Sequence, residues 1–197
     1  MKLDKVLITG GAGYLGSVIT RKLLQNYKVT VLDNLMYNQI PLIDLCGNPN
    51  FKFIYGDVRD YKLLIEQVQK HDVIIPLAAI VGFPACEKDK HLANIVNFTH
   101  VKDIVDNLTG EQMLLFPNTN SGYGSRAQGM VNETNKLTPI SCYGQTKCDA
   151  ENYIKSYSKG IIFRLATVFG ISQRMRLDLL VNEFVYKALT DKYITIF

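Results

Sequence analysis

The stretch SCYGQTKCDAEN carries Tyr143 and Lys147 four positions apart at the start of a predicted helix. Side chains at i and i+4 share a helix face, so a phenol and an ammonium can point into the same cleft. An unperturbed tyrosine, with a pKa of about 10, is a poor base at neutral pH. A neighbouring ammonium stabilises the phenolate and lowers that pKa, which equips Tyr143 to take a proton from a substrate hydroxyl. Just upstream, LLFPNTNSGYG ends an apolar run in small polar residues, and Thr119 or Ser121 can hydrogen-bond the same hydroxyl oxygen. Asn, Ser and Gly also cluster in any tight turn. The pair alone is common on helices, so its surroundings decide.

The first of those surroundings is TGGAGYLG at residues 9–16, directly after the apolar run Val6 to Ile8. Gly10, Gly13 and Gly16 stand at three-residue spacing, where a strand ends and a helix opens. Glycine permits positive φ and lets backbone N–H groups approach a ligand closely. At a helix N-terminus that ligand is a phosphate, here the pyrophosphate of a dinucleotide. A second requirement is an acid about 20 residues further on, at the end of the second strand, for the ribose hydroxyls. Asp33 in VTVLDN meets it. A carboxylate repels a 2′-phosphate, and no Arg or Lys adjoins Asp33 in the sequence, so the expected cofactor is NAD rather than NADP. Asp57 in YGDVRD is placed at the adenine end of the pocket. The hydroxyl that yields its proton to Tyr143 would then lose a hydride to the nicotinamide.

The elements that must hold these residues are legible as alternating patterns. Strand-like runs fall at 6–10, 29–33, 51–56, 72–79, 113–118 and 161–166. Helical periods fall between them, including 89–108 and 142–157, as helices lying against a sheet require. This order predicts an α/β fold: a doubly wound parallel sheet, the Rossmann fold, with helices on both faces. Residues 1–170 are assigned to a NAD-binding Rossmann domain and 171–197 to the start of a truncated substrate-binding lobe. A last helix at 178–190 should lead into a short strand, YITIF.

The 197 residues are 47% hydrophobic and 20% charged, with net charge +4, the balance of an ordinary globular domain. The basic residues are scattered, which argues against nucleic acid. Arg174 to Arg176 form a short cluster suited at most to an anionic ligand. No run approaches the ~20 apolar residues of a membrane span. Four cysteines without a CxxC pair read as reduced thiols in a cytoplasmic protein. Cys86 reads as a packing residue. His71, His91 and His100 show no metal-ligand pattern and are expected at surface or helix-end positions.

Taken together, TGGAGYLG, VLDN, GDVRD, LAA, NTNSGYG, YGQTK and FRLATVFG resemble the extended short-chain dehydrogenase/reductase superfamily in its NAD-dependent sugar-nucleotide epimerase/dehydratase branch. The resemblance runs over essentially the whole chain. It implies a pyrophosphate site at Gly10, Gly13, Tyr14, Leu15 and Gly16, and a ribose and adenine site at Asp33, Asn34, Asp57 and Val58. It implies cofactor contacts at Leu77, Ala78, Ala79 and Asn97. Tyr143 is the implied acid–base residue, Lys147 its partner that also holds the nicotinamide ribose, and Thr119, rather than Ser121, the catalytic hydroxyl. Substrate contacts are implied at Thr119, Asn120, Arg174, Arg176 and Asn182. The implied reaction is 4-epimerisation of a nucleotide-activated sugar by transient oxidation at C4. A ketoreductase or dehydrogenase, or a non-catalytic truncated NAD-binding relative, are the alternatives. A homodimer through helices 89–108 and 142–157 is also implied.

Departures accompany the resemblance. Pro76 stands where the family has a histidine, and Thr167 where it often has an asparagine. Asn120 and Ser121 replace the Asp-Glu pair of the 4,6-dehydratases. Family members run to roughly 300 residues or more, so a C-terminal portion is expected to be missing.

Overall fold

The computed structural model describes residues 3–125 and 129–196. Six strands form one all-parallel sheet in the order β3-β2-β1-β4-β5-β6. They are β1 (Lys5–Thr9), β2 (Lys28–Asp33), β3 (Phe51–Tyr55), β4 (Val73–Pro76), β5 (Met113–Thr119) and β6 (Gly160–Leu165). The order reverses between β1 and β4, and this opens a crevice at the carboxyl ends of the strands. The predicted Rossmann fold is therefore the observed one.

Period-two side chains divide the core between the two faces of the sheet. Leu7, Leu32, Ile74, Leu114 and Phe116 point one way. They meet α2 (Tyr61–Val68), α5 (His100–Asp106) and α6 (Cys142–Ile154) through residues such as Leu64, Ile104 and Ile154. Val6, Ile8, Val29, Val31, Val73 and Ile75 point the other way, towards Ile19 and Leu23 of α1 (Tyr14–Leu23) and Leu42 of the loop after β2. At the β6 edge of that second face, Ile161 and Phe163 remain exposed.

The helical stretch expected at 89–108 is interrupted. A short helix α3 (Phe83–Lys88) precedes it, and Asp89 breaks the run by capping α4 (Lys90–Asn94) through Leu92 N–H. A π-helical turn, Ile95–Thr99, then joins α4 to α5. The extra residue turns Asn97 fully inward, where it bonds both the N–H and the C=O of Ile80 and the hydroxyl of Thr146. Ser141 caps α6 by accepting from Gly144 N–H at 3.0 Å. The last helix is α7 (Leu180–Thr190), and residues 193–196 form no strand, contrary to the expectation for YITIF; Phe197 lies outside the described residues. Pairing a strand requires a free partner edge at the right register, which the pattern of YITIF alone does not supply. No described helix is long and apolar enough to cross a membrane.

Two of the three histidines are buried rather than peripheral. His71 lies between the Gln67 carbonyl, 2.6 Å away, and the Thr30 hydroxyl, 2.7 Å away. His100 is 2% exposed against α6. Only His91 is at the surface. Neither burial was evident from spacing: His71 follows the end of α2, where it meets Gln67 and Thr30, and the burial of His100 depends on which face of α5 turns inward.

Candidate active site

The crevice is a cavity of about 610 Å³ that runs from the glycine turn to α6. At one end the four glycines of GGAGYLG do different jobs. Gly10 has φ +71°, and a Cβ there would sit 2.5 Å from Ala78 N. A Cβ on Gly11 would strike Val31, and one on Gly16 would lie 2.5 Å from Gly11 Cα. Gly13 differs, since only the Gly10 carbonyl lies near its Cβ position, at 3.1 Å. Gly13 also lines the cavity, so a side chain there would fill space in front of α1. α1 starts at Gly13 without a side-chain cap and without an acid in its first turn. Its uncapped N–H groups therefore offer the positive end of a helix to the cavity. The turn fits a diphosphate.

Asp33 closes β2 beside that turn. It accepts from Ala12 N–H at 2.9 Å and from Leu35 N–H at 2.8 Å. Burial raises its pKa, against those two hydrogen bonds and the charge of Arg174. Asp57 takes a bidentate contact from Arg59, at 2.9 and 2.8 Å, and a further bond from Asn34 at 2.9 Å. The Arg59 hydrogen bonds hold its carboxyl well below the usual range. Asn34, Val58, Leu77, Ala78, Ala79, Tyr14 and Leu15 all line the same cavity, as the resemblance implies.

The other end is made by β5 and α6. Thr119, Asn120, Ser121, Tyr143 and Lys147 line it. Burial pushes the Tyr143 phenol up, with the nearby Cys86 thiol adding to the effect; the charge of Arg176 and hydrogen bonding by Thr119 oppose it. Lys147 is 5% exposed, and burial pulls its pKa down to about 7. Its ammonium lies over the Phe116 ring, 3.9 Å from the centroid, a cation–π contact in a dry site.

Two expected site residues lie elsewhere. Asn97 does not line the cavity and instead joins Ile80 to Thr146 from behind. Asn182 is also buried outside it, accepting from Gly170 N–H at 2.9 Å and donating to the Tyr14 hydroxyl at 3.1 Å. Both side chains hold loops that border the crevice. Arg174 and Arg176 do line it, but Arg174 faces Tyr37 and Asp33 at the nucleotide end. Arg176 pairs with Asp178 and faces Tyr143.

Several contributors were missed. Arg59 and Tyr37 line the cavity without having been singled out. Glu151, four residues beyond Lys147 on the same helix face, is 1% exposed and binds Arg164 and Asn118 behind the catalytic end. The repeat Tyr143, Lys147, Glu151 at i, i+4, i+8 was a signal that could have found it. His100 sits under Lys147, and burial together with the Lys147 charge lowers its pKa to about 3.

A model described as the NAD dependent epimerase/dehydratase family matches residues 6–197. UDP-arabinose 4-epimerase 1 of Arabidopsis thaliana is 32% identical over 187 residues, which cover 87% of this chain and 45% of that protein. The UDP-glucuronic acid 4-epimerase of Bacillus cereus, solved in complex with UDP-glucuronic acid and NAD, superposes with a TM-score of 0.81 at 30% identity. That match covers 98% of this chain and 65% of the other. The UDP-Glc/GlcNAc 4-epimerase of Campylobacter jejuni gives a TM-score of 0.76 at 29% identity, over 82% of this chain and 53% of that one. The chain spans between 46% and 65% of the length of the first curated relatives it matches. With a glycine turn that fits a diphosphate, an acid at the end of β2 and a Tyr–Lys pair in one crevice, and with that match over nearly all its length, the chain belongs to the NAD dependent epimerase/dehydratase family.

Proposed function

We propose that the chain is the NAD-binding portion of an enzyme that epimerises a nucleotide-activated sugar at C4. The observation that carries this reading is that Thr119, Tyr143 and Lys147 share one cavity with the Gly10–Gly16 turn and Asp33. NAD held on that turn supplies a reversible hydride acceptor. Tyr143 takes the proton of the sugar C4 hydroxyl and later returns it, and Thr119 orients that hydroxyl. Lys147, as an ammonium, favours the phenolate and holds the nicotinamide ribose. Once the transient ketone forms, the sugar turns over in the pocket and is reduced from its other face.

The carboxylates that line the cavity also favour epimerisation over dehydration. They are Asp33, Asp57 and Asp178, the last paired with Arg176, while Asn120 and Ser121 follow Thr119. Loss of water from the sugar needs an acid and a base at that place, and neither residue serves. The UDP-sugar 4-epimerases among the similar proteins support the same reading.

The test incubates the protein and NAD with UDP-, GDP-, dTDP- and CDP-sugars and follows products by NMR. One pair should interconvert at C4 without accumulation of NADH. Stoichiometric NADH would replace the epimerase reading with a dehydrogenase. Residues 171–197 are read as the start of a substrate lobe, and the helical stretches 89–108 and 142–157 as those through which two copies pair in the cytoplasm. Sedimentation at micromolar concentration tests the pairing.

A further inference from the structure

Two loops from opposite halves of the sheet meet across the crevice. The segment after β6 is seated on the first turn of α1. There Ser172 Oγ donates to the Tyr14 carbonyl at 2.7 Å and contacts Ser17 Oγ at 2.9 Å, and the Tyr14 hydroxyl donates to the Gly170 carbonyl at 2.7 Å. This seating carries Arg174 over to the loop after β2. Its guanidinium stacks on the half-exposed ring of Tyr37, 4.0 Å from the centroid. Arg174 makes no ion pair among the described residues, whereas Arg21, Arg59, Arg164 and Arg176 each pair with a carboxylate. Its Nε is buried with no hydrogen-bond partner.

The loop that presents Tyr37 is held in an unfavourable backbone conformation. Leu35 and Asn38, which flank Met36 and Tyr37, both have φ of 52°. A left-handed conformation costs a residue such as Leu35 roughly 1 kcal/mol or more, whereas asparagine tolerates it. Leu35 N–H bonded to Asp33 Oδ1 at 2.8 Å, and Asn38 N–H bonded to the Leu35 carbonyl at 2.8 Å, maintain it. Strain kept at a cavity mouth points to a task for the loop.

We infer that Tyr37 and Arg174 form a clasp over the adenosine diphosphate portion of the dinucleotide, so that Arg174 serves the cofactor and not the substrate. This rests on the cofactor reading given above. The contact bridges the turn that fits a diphosphate and lies beside Asp33, the ribose-side acid. A planar guanidinium with a free buried Nε suits a diphosphate oxygen. The tyrosine ring holds it in place through a cation–π contact. Because the two loops belong to different halves of the sheet, the contact must part for a dinucleotide to enter or leave. The clasp therefore slows release.

The experiment preloads the full chain with NADH and follows release by fluorescence after a chase with excess NAD. Arg174→Ala and Tyr37→Ala should each speed release about tenfold, the scale of one cation–π contact. The double variant should be no faster than the faster single one, because the pair acts as a unit. Tyr37→Phe keeps the ring and should release NADH at the original rate. Arg174→Lys, which keeps charge but loses the planar fork, covers the case in which the alanine variant fails to fold. Unchanged release in Arg174→Ala, Arg174→Lys and Tyr37→Ala, or weakened sugar-nucleotide binding by Arg174→Ala with NADH release unchanged, overturns the clasp alone. Failure of the unaltered chain to bind NADH overturns the cofactor reading and the clasp with it.

Discussion

The two ends of the crevice are built on opposite electrostatic principles. At the nucleotide end, the two carboxylates have hydrogen-bond partners before any ligand arrives, although burial still raises the pKa of Asp33 and Arg174 makes no ion pair among the described residues. Asp57 has Arg59 and Asn34, and Asp33 has two backbone donors. At the catalytic end, burial acts against charge. Tyr143 is pushed towards its neutral form, Lys147 is pulled down to about 7, and His100 below it to about 3. Recognition of a nucleotide needs fixed partners, and proton transfer needs groups whose two states are close in free energy. The comparison explains why Glu151, with its full set of partners, stays behind the catalytic end. Burial opposes its ionisation, but bonds from Arg164, Lys155 and Asn118 outweigh that and keep it charged.

The sharpest way to break this contrast is Tyr143→Phe. Turnover should fall by roughly 10²–10⁴-fold, the usual share of a general acid–base group, while NADH affinity stays within about twofold. Titration of NADH fluorescence beside an NMR assay of turnover checks both; loss of binding with chemistry retained sinks the assignment. Next in size is Glu151→Ala. It leaves Arg164, whose side chain is 10% exposed, without its partner. The expected cost is about 3–5 kcal/mol, read from denaturant unfolding.

Two glycine variants separate structure from binding within one turn. Gly16→Ala places a Cβ 2.5 Å from Gly11 Cα and should cost about 1–3 kcal/mol of stability. Gly13→Ala meets little protein and should change stability by less than about 1 kcal/mol. Its methyl group enters the cavity, so NADH affinity should still fall. Equal stability losses for the two variants would show that Gly13 is a packing glycine like its neighbours.

The last expected effect is a slope. Lys147 is lowered to about 7 in the folded chain, so between there and the ordinary lysine value near 10.4 the unfolded chain binds a proton that the native state does not. Stability should therefore rise with pH across that window. Lys147→Met should flatten the rise, measured as unfolding midpoints at pH 7 and pH 9. An unchanged slope in the variant would mean that the lysine is not desolvated.

The sheet and its crevice were readable because their determinants are local. The apolar runs that end in glycine or aspartate, at 6–10, 29–33 and 51–56, set the ends of β1, β2 and β3 to within one residue, and the other three strands end within three residues of their runs. In an alternating βαβ chain, those ends meet at one edge of the sheet. The helix at 89–108 was less readable. Its π turn exists for Asn97, whose partners Ile80 and Thr146 come from elsewhere in the chain. The expected roles of Asn97 and Asn182 in the pocket were mislocated for the same reason. A short amide suits a ligand and a buried backbone group equally well.

By itself the sequence determined the strand order's raw material, the glycine turn, the acid that follows it and the Tyr–Lys spacing, because each is written in neighbours along the chain. Only tertiary structure decided that Lys147 rests on Phe116, that Glu151 meets Arg164, and that Arg174 crosses to Tyr37. Desolvation and long-range pairing depend on what surrounds a side chain in space. One-dimensional spacing carries no measure of either.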